Sequence, residues 1–500
     1  MLATLSLVLL ASASTPCEAL RSVPLQQAAI TTADVAAGPF VPPGAAGRGA
    51  PPPSAGRGGV PGPAGRGPAP LPLPAHCRVT MVLTPTSDSK IGAELWLPAE
   101  KWNGKLLIVG NGLYGGSIQG YGDMQIALRL GYATAGTDTG HEGPDGTFAL
   151  GHPEKIVDFA YRAVHETTVK SKELVRAFYN GAAQYSYFKG CSTGGREAVM
   201  SAQRYPLDFD GIIAGALANR HIHMHTAGFA RSVEMARHPE RAISAAKAEM
   251  VNATLMQKCD TLKEGFLNDP RQCRFDFSAL LCKGTESDTC LTAAQLQSVQ
   301  DFYGGVKNGK GELIFSGQAL GNPLPELKGT PPTNVIDTVR IWAFQNPDYD
   351  WRTFDLDRDM RIIDQKIGFV DAVDPDLTAF KAHGGKLLLY AGWADTGITP
   401  ENTVLYYENV LGKMGKGQDD WVRLFLVPGM GHCGGGPGLN GFDSIGTLTY
   451  WREHGVAPAQ VTASNTQSSL TRPLCPYPQS AKYKGTGNVR DASNWTCASP

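Results

Sequence analysis

The chain carries almost no net charge: 45 Lys and Arg stand against 46 Asp and Glu, leaving −1 over 500 residues. No run of basic residues disturbs that balance. Composition therefore gives no electrostatic ground for nucleic acid or an anionic membrane surface as a partner. No stretch reaches the ~18 consecutive apolar residues of a membrane-spanning helix. No C-x-x-C occurs, which weakens zinc and thioredoxin-like readings. Charged residues make up only 18%, yet 42% of the chain is hydrophobic. That composition is not a disordered one, and it supplies enough apolar material for a sizeable core. The length is too great for one small domain.

Glycine and proline are abundant, at 59 and 35, and much of the excess lies between residues 38 and 75. There Ala-Gly-Arg-Gly recurs at 46, 55 and 64, a repeat with too little apolar surface to order itself. It reads as a low-complexity loop or linker; a binding role for Arg48, Arg57 and Arg66 is the competing reading. Ahead of it, residues 1–13 read as an export signal: Leu2–Leu10 is apolar and Ala11-Ser12-Ala13 suits a cleavage site. A buried terminal strand or helix is the alternative. The ten cysteines (Cys17, Cys77, Cys191, Cys259, Cys273, Cys282, Cys290, Cys433, Cys475 and Cys497) are even in number. In an exported chain they read as five disulfides. Short spacings suggest Cys259–Cys273, Cys282–Cys290 and Cys475–Cys497 as local loops. A secreted or periplasmic protein is expected.

From Cys77 onward strand and helix patterns alternate. Strands are predicted at Lys105–Val109, Tyr132–Gly136, Tyr185–Phe188 and Gly211–Gly215, with helices over Lys155–Tyr179 and from Glu197 to Arg204. The pattern lapses from about residue 220 to 375, where four cysteines and many turn residues gather. It returns with strands at Lys386–Tyr390 and Val422–Val427 and a helix over Phe442–His454. Strand–helix alternation predicts an α/β fold with a mostly parallel central sheet. The expected units are a catalytic domain of 76–219 and 376–500, interrupted by an inserted lid domain of 220–375.

Gly190-Cys191-Ser192-Thr193-Gly194 matches G-x-S-x-G. Five letters alone are weak, and a Gly-rich turn capped by Ser192 is the plain alternative. A strand before and a helix after make the setting that of a nucleophile elbow. A serine hydroxyl is a poor nucleophile at neutral pH and needs a base, itself oriented by a carboxylate. In this fold class the chain order is Ser, then Asp or Glu, then His. Asp395 follows one late strand and His432 the next. Taken singly, Asp395 reads equally as a turn residue and His432 as a surface histidine. Together, in that order, they complete a catalytic triad. Cys191 abuts Ser192 and Cys433 abuts His432, so a Cys191–Cys433 bridge would staple nucleophile to base, since a disulfide holds its Cα atoms at about 5.5 Å; each pairing elsewhere or staying reduced is the alternative. An oxyanion needs two N–H donors. Thr193, next after the nucleophile, supplies one, and Gly112 in the loop Gly110–Gly116 is the candidate for the other; a plain glycine turn is its alternative.

These residues resemble the tannase and feruloyl esterase family of α/β-hydrolases. Cys191-Ser192, Asp395 and His432-Cys433 match its Cys-Ser … Asp … His-Cys arrangement. The segments 135–141, 190–196, 348–352, 392–395 and 475–478 are similar to its recurring motifs. The resemblance implies an α/β-hydrolase core under a lid, and a small aromatic ester as substrate: a feruloyl, galloyl or terephthalate-type ester cleaved through an acyl-enzyme. Trp342, Phe344 and Tyr349 are lid aromatics available to pack on such a ring, with core packing the simpler role for each. The competing functions are a serine hydrolase of other specificity, either a general esterase or a peptidase, and a non-catalytic binding protein on the same fold. The resemblance also implies the pairs Cys17–Cys77, Cys259–Cys273, Cys282–Cys290 and Cys475–Cys497. Catalysis calls for no cofactor. The family's lid carries a calcium loop after its first cysteine, but here that loop is shortened by about three residues and keeps only Asp260 and Glu264, against six to eight oxygens for Ca²⁺. Two further departures are Ala391, where the family often has His, and Leu113, where glycine is common. The sequence does not fix an oligomeric state.

Overall fold

The structure is a computed structural model that describes residues 15–43 and 72–499. The expected export signal and most of the Gly/Pro-rich repeat, with Arg48, Arg57 and Arg66, lie outside the described residues. Nine strands form one sheet: β1 (Ala28–Gly38), β2 (Leu73–Leu83), β3 (Ile91–Pro98), β4 (Lys105–Val109), β5 (Ala133–Thr137), β6 (Tyr185–Cys191), β7 (Gly211–Gly215), β8 (Lys386–Gly392) and β9 (Val422–Val427). Their order is β1-β2-β3-β5-β4-β6-β7-β8-β9. β1, β2 and β3 run antiparallel, and β3 meets β5 antiparallel. From β5 to β9 every neighbouring pair is parallel. This is the mostly parallel sheet of an α/β hydrolase.

Strand alternation sorts each side chain to one of two cores. Leu106, Ile108, Ile212, Leu387 and Leu389 face one side, against the helices Ala163–Tyr179, Thr193–Arg204 and Pro400–Met414. Leu107, Val109, Ile213, Leu388 and Phe425 face the other, against Tyr121–Arg129 and Ser444–His454. Because both faces are covered, the parallel strands read as unbroken apolar runs, which is why the sequence reveals them.

Two expected elements differ in detail. The helix over Lys155–Tyr179 is broken: Pro153–Val157 leads into a π-helical turn, Asp158–Arg162, before Ala163–Tyr179. The helix after Ser192 starts at Thr193 rather than Glu197, through Gly194 and Gly195. Neither glycine favours a helix, but close packing demands both. A methyl on Gly195 would sit 2.2 Å from the Gly215 carbonyl oxygen, and one on Gly194 would sit 3.0 Å from that of Asn111. Gly195→Ala is therefore expected to cost about 1–3 kcal/mol, the usual range for overpacking. A lowered urea midpoint would show it, and an unchanged midpoint would mean the elbow has room.

Between β7 and β8 the chain leaves the sheet. It builds the helices His221–Arg237, Ala245–Cys259, Ala293–Gly304 and Leu356–Ile367 and a small antiparallel ribbon, Val306–Lys307 with Leu313–Phe315. Its core is shared with the sheet unit: Ile222, Phe229 and Trp342 pack with Tyr114, Phe159 and Ala149. Every cysteine is paired: Cys17–Cys77, Cys191–Cys433, Cys259–Cys273, Cys282–Cys290 and Cys475–Cys497.

Candidate active site

Ser192 stands between β6 and the helix Thr193–Arg204, with φ 66° and ψ −124°. A non-glycine residue rarely holds such a conformation unless its surroundings impose it. Here the backbone N–H of Ser192 donates to Gly215 O at 3.1 Å, and its carbonyl accepts from Arg196 and Ala218. The turn is also closed from below, where a methyl on Gly190 would meet Gly194 O at 2.3 Å. Arg196, fully buried, donates to the carbonyls of Ala160 and Phe159 at 2.6 and 2.9 Å and lies over the Phe159 ring. The helix that begins at the elbow is thereby tied to the π-helical turn.

Asp395 follows β8 and His432 follows β9, both at the carboxyl edge of the sheet. The two loops are packed together: Trp393 N–H donates to Val427 O and Ala394 N–H to Met430 O, each at 2.9 Å. His432 Nδ1 lies 2.9 and 3.1 Å from the two Asp395 carboxylate oxygens. Asp395 Oδ1 also accepts the backbone N–H groups of Gly397 and Ile398, at 2.8 and 2.9 Å. An ionised carboxylate is acceptor-only, which suits the two backbone donors and a proton on His432 Nδ1. That arrangement leaves Nε2 as the lone-pair nitrogen. The His432 side chain is 38% exposed.

The bridge Cys191–Cys433, with Cα atoms 5.8 Å apart, joins the residue before Ser192 to the residue after His432. Three residues far apart in sequence thus share one edge of the sheet.

The loop after β4 is pinned to the same helix. Gly194 N–H donates to Asn111 O at 2.8 Å, and Thr193 Oγ1 donates to Leu113 O at 2.6 Å. Glu197 accepts the backbone N–H and the side-chain amide of Asn111, and burial pushes its carboxyl pKa up. Gly115 N–H closes a turn on Gly112 O. Gly112 and the first N–H of the helix, Thr193, are thus brought to the same rim. The N–H of Thr193, first in the helix, has no intrahelical acceptor, so it can meet negative charge. Leu113 takes φ 50° and is 64% exposed. That left-handed backbone is the physical reason a glycine suits this position. Ala391 is fully buried within β8.

Two supports for the site have no sequence signal. Asn322, from the segment between β7 and β8, donates through Nδ2 to the backbone oxygen of Asp395 at 2.8 Å. Tyr114, one residue past Leu113, shares a hydrogen bond with Thr338 Oγ1 at 2.7 Å, and Thr338 shares another with His225 Nδ1 at 2.7 Å. Burial pushes His225 down to about 4, so it stays neutral near pH 7. Trp342 is core: its Nε1 donates to Gly146 O at 2.9 Å and its ring packs on Tyr114 and Phe159. Phe344 and Tyr349 are half-buried and stack on each other, centroids 4.9 Å apart.

The shortened loop after Cys259 does not fit calcium. Asp260 spends its two oxygens on the N–H groups of Glu264 and Gly265, at 3.1 and 2.7 Å. Both Glu264 oxygens face Arg472 Nη2, at 2.9 and 3.1 Å. Arg472 is fully buried, with its guanidinium 3.7 Å from the Trp495 ring centroid. A cation is thus already in place, and it belongs to the chain. Among the described residues no group of three or more His, Cys, Asp or Glu is placed to hold a metal ion. Arg472→Met would leave Glu264 buried and unpaired, at a cost of about 3–5 kcal/mol. Adding Glu264→Gln should return most of that stability, as read by thermal or urea unfolding. Equal loss in single and double variants would show that the unpaired carboxylate is not the source of the loss.

A family model described as tannase and feruloyl esterase matches residues 77–498. An uncharacterized esterase of Xanthomonas campestris is 35% identical over 561 aligned positions, covering 98% of this chain and 92% of its own length. A probable feruloyl esterase B-2 of Aspergillus terreus is 33% identical, over 84% of this chain and 86% of its own. The crystal structure of feruloyl esterase B from Aspergillus oryzae superposes with a TM-score of 0.86 at 29% identity, covering 96% of this chain and all of that one. With the sheet, the elbow and the Asp–His pair already in place, these likenesses settle the family: the chain belongs to the tannase and feruloyl esterase family and is a carboxylic ester hydrolase.

Proposed function

We propose that the chain is an exported serine esterase that cleaves esters of aromatic carboxylic acids through an acyl-enzyme. The observation that carries this reading is the Asp395–His432 pair, tethered through Cys433–Cys191 to a serine held in the elbow conformation. Ser192 Oγ attacks the ester carbonyl while His432 Nε2 takes its proton. The negative oxygen of the tetrahedral intermediate receives the N–H groups of Thr193 and Gly112. Collapse expels the alcohol, which takes the proton back from His432. Water, deprotonated by the same nitrogen, then attacks the acyl-enzyme, releases the acid and restores Ser192.

The aromatic acyl group rests on the relatives, among them proteins described as feruloyl esterase B. Export rests on the apolar N-terminal run and on five disulfides, which persist in oxidising compartments. The segment 220–375 is read as a lid. Asn322 on the Asp395 loop and Thr338 on Tyr114 support that reading, because they link it to both sides of the site.

Methyl ferulate, methyl gallate and a mono-hydroxyethyl aromatic ester should be assayed beside short-chain aliphatic esters. At least one aromatic ester is expected to show the highest kcat/KM. Preference for the aliphatic esters throughout would overturn the aromatic reading while leaving the serine chemistry intact.

A further inference from the structure

A cavity of about 510 Å³ opens inside the segment between β7 and β8, away from every residue of the proposed triad and of its oxyanion loop. It lies between the helices His221–Arg237 and Ala293–Gly304 and the ribbon strand Val306–Lys307. Its size falls in the range of small-molecule sites, roughly 300–1,000 Å³. Val233, Met235, Phe354 and Leu356 give it apolar walls.

The charges along its rim are unequally matched. Arg241 is spent on Glu234 and Asp301, and Asp301 also accepts from Gln297. Arg237 donates to the carbonyls of Arg352 and Phe354. Arg231 is different. Its Nε is closed off from solvent with no hydrogen-bond partner, and among the described residues its guanidinium forms no ion pair. Its close neighbour is the Phe302 ring, 5.7 Å away. Burial lowers its pKa, and the nearby Asp301 carboxylate partly offsets this. Lys307, on the same rim, is exposed and likewise has no carboxylate partner among the described residues. A guanidinium whose Nε is shut off from water without an acceptor carries a desolvation cost, and its planar fork suits a carboxylate.

We infer that this cavity is a second binding site, for a small organic monocarboxylate with an apolar body, whose carboxylate meets Arg231. Apolar walls and one half-buried guanidinium without a carboxylate partner favour such a ligand over an inorganic polyanion. An aromatic acid, the product class of the proposed esterase, belongs to this group, and that link alone rests on the functional reading.

The test uses 4-hydroxycinnamate, with its primary amide as the uncharged control, titrated by calorimetry into full-length protein. Ser192 is first blocked with an aryl phosphonate, and the block is verified by mass. The acid is expected to bind one equivalent, at least 10-fold more tightly than the amide, and Arg231→Met is expected to weaken it 10-fold or more. Arg231→Lys should fall between the two. If Arg231→Met does not fold, Val306→Phe, which narrows the cavity, should weaken the acid instead. Equal affinity in wild type and these variants, no saturable binding, or binding that vanishes on blocking Ser192 would each overturn the proposal. Failure of the phosphonate to add to Ser192 would count against the esterase reading alone, because the comparison of wild type with Arg231→Met still decides the lid site.

Discussion

Replacing Ser192 by alanine is expected to lower kcat/KM on the best aromatic ester by about 10⁴-fold or more, with the fold intact. The nucleophile is the only atom of the proposed site that forms a bond to substrate. His432 and the N–H donors of Thr193 and Gly112 then have little to act on, so only weak catalysis of direct water attack should remain. Alanine keeps the backbone contacts of the elbow, which run through the Ser192 N–H and carbonyl rather than the hydroxyl. The unfolding midpoint should hold steady or rise slightly as the strained turn loses its polar side chain. Single-turnover kinetics on purified variant, with circular dichroism as the fold control, measure both. Retention of more than a tenth of the wild-type rate would mean that another group attacks the ester.

Asp395→Asn is expected to be nearly as damaging, about 10⁴-fold in kcat, although it changes almost no volume. The reason lies in the three donors that meet Asp395. Gly397 and Ile398 both donate to Oδ1, so an asparagine must place its carbonyl oxygen there. Its NH₂ then occupies the Oδ2 position, 2.9 Å from His432 Nδ1. Two N–H groups cannot face one another, so His432 gives up the Nδ1 proton and carries it on Nε2. The base is then protonated on the nitrogen that should accept from Ser192. Binding of substrate should change little, so the loss should fall on kcat rather than KM. A variant that lost activity only through a raised KM would contradict this orienting role.

The parallel half of the sheet was legible because its strands are buried on both faces and read as short apolar runs: Leu106–Val109, Ile212–Ile213 and Leu387–Leu389 show no polar interruption. The strand Ala28–Gly38 was not. It is an edge strand of Ala and Thr with mostly exposed or half-buried positions, so its sequence carries no periodic apolar signal. The placement of Ser192, Asp395 and His432 at one edge of the sheet could be read because each follows a recognisable strand in a fixed order, and the flanking Cys191 and Cys433 repeat the message. Asn322 and Thr338 could not, since the hydrogen bond by which each reaches the site spans at least 73 positions. The same holds for Arg472, whose partner Glu264 lies 208 residues upstream. Side chains that act across such separations leave no local pattern, and only the folded chain discloses them.

Ser192 is the proposed nucleophile. The most direct measurement is to inactivate the wild-type enzyme with an aryl phosphonate, digest it, and map the adduct by mass spectrometry. One phosphonyl group on the peptide containing Ser192, rising in step with the loss of turnover, is the predicted result. Full inactivation with the adduct on a different residue, or a labelled Ser192 in an enzyme that still turns over, would contradict it.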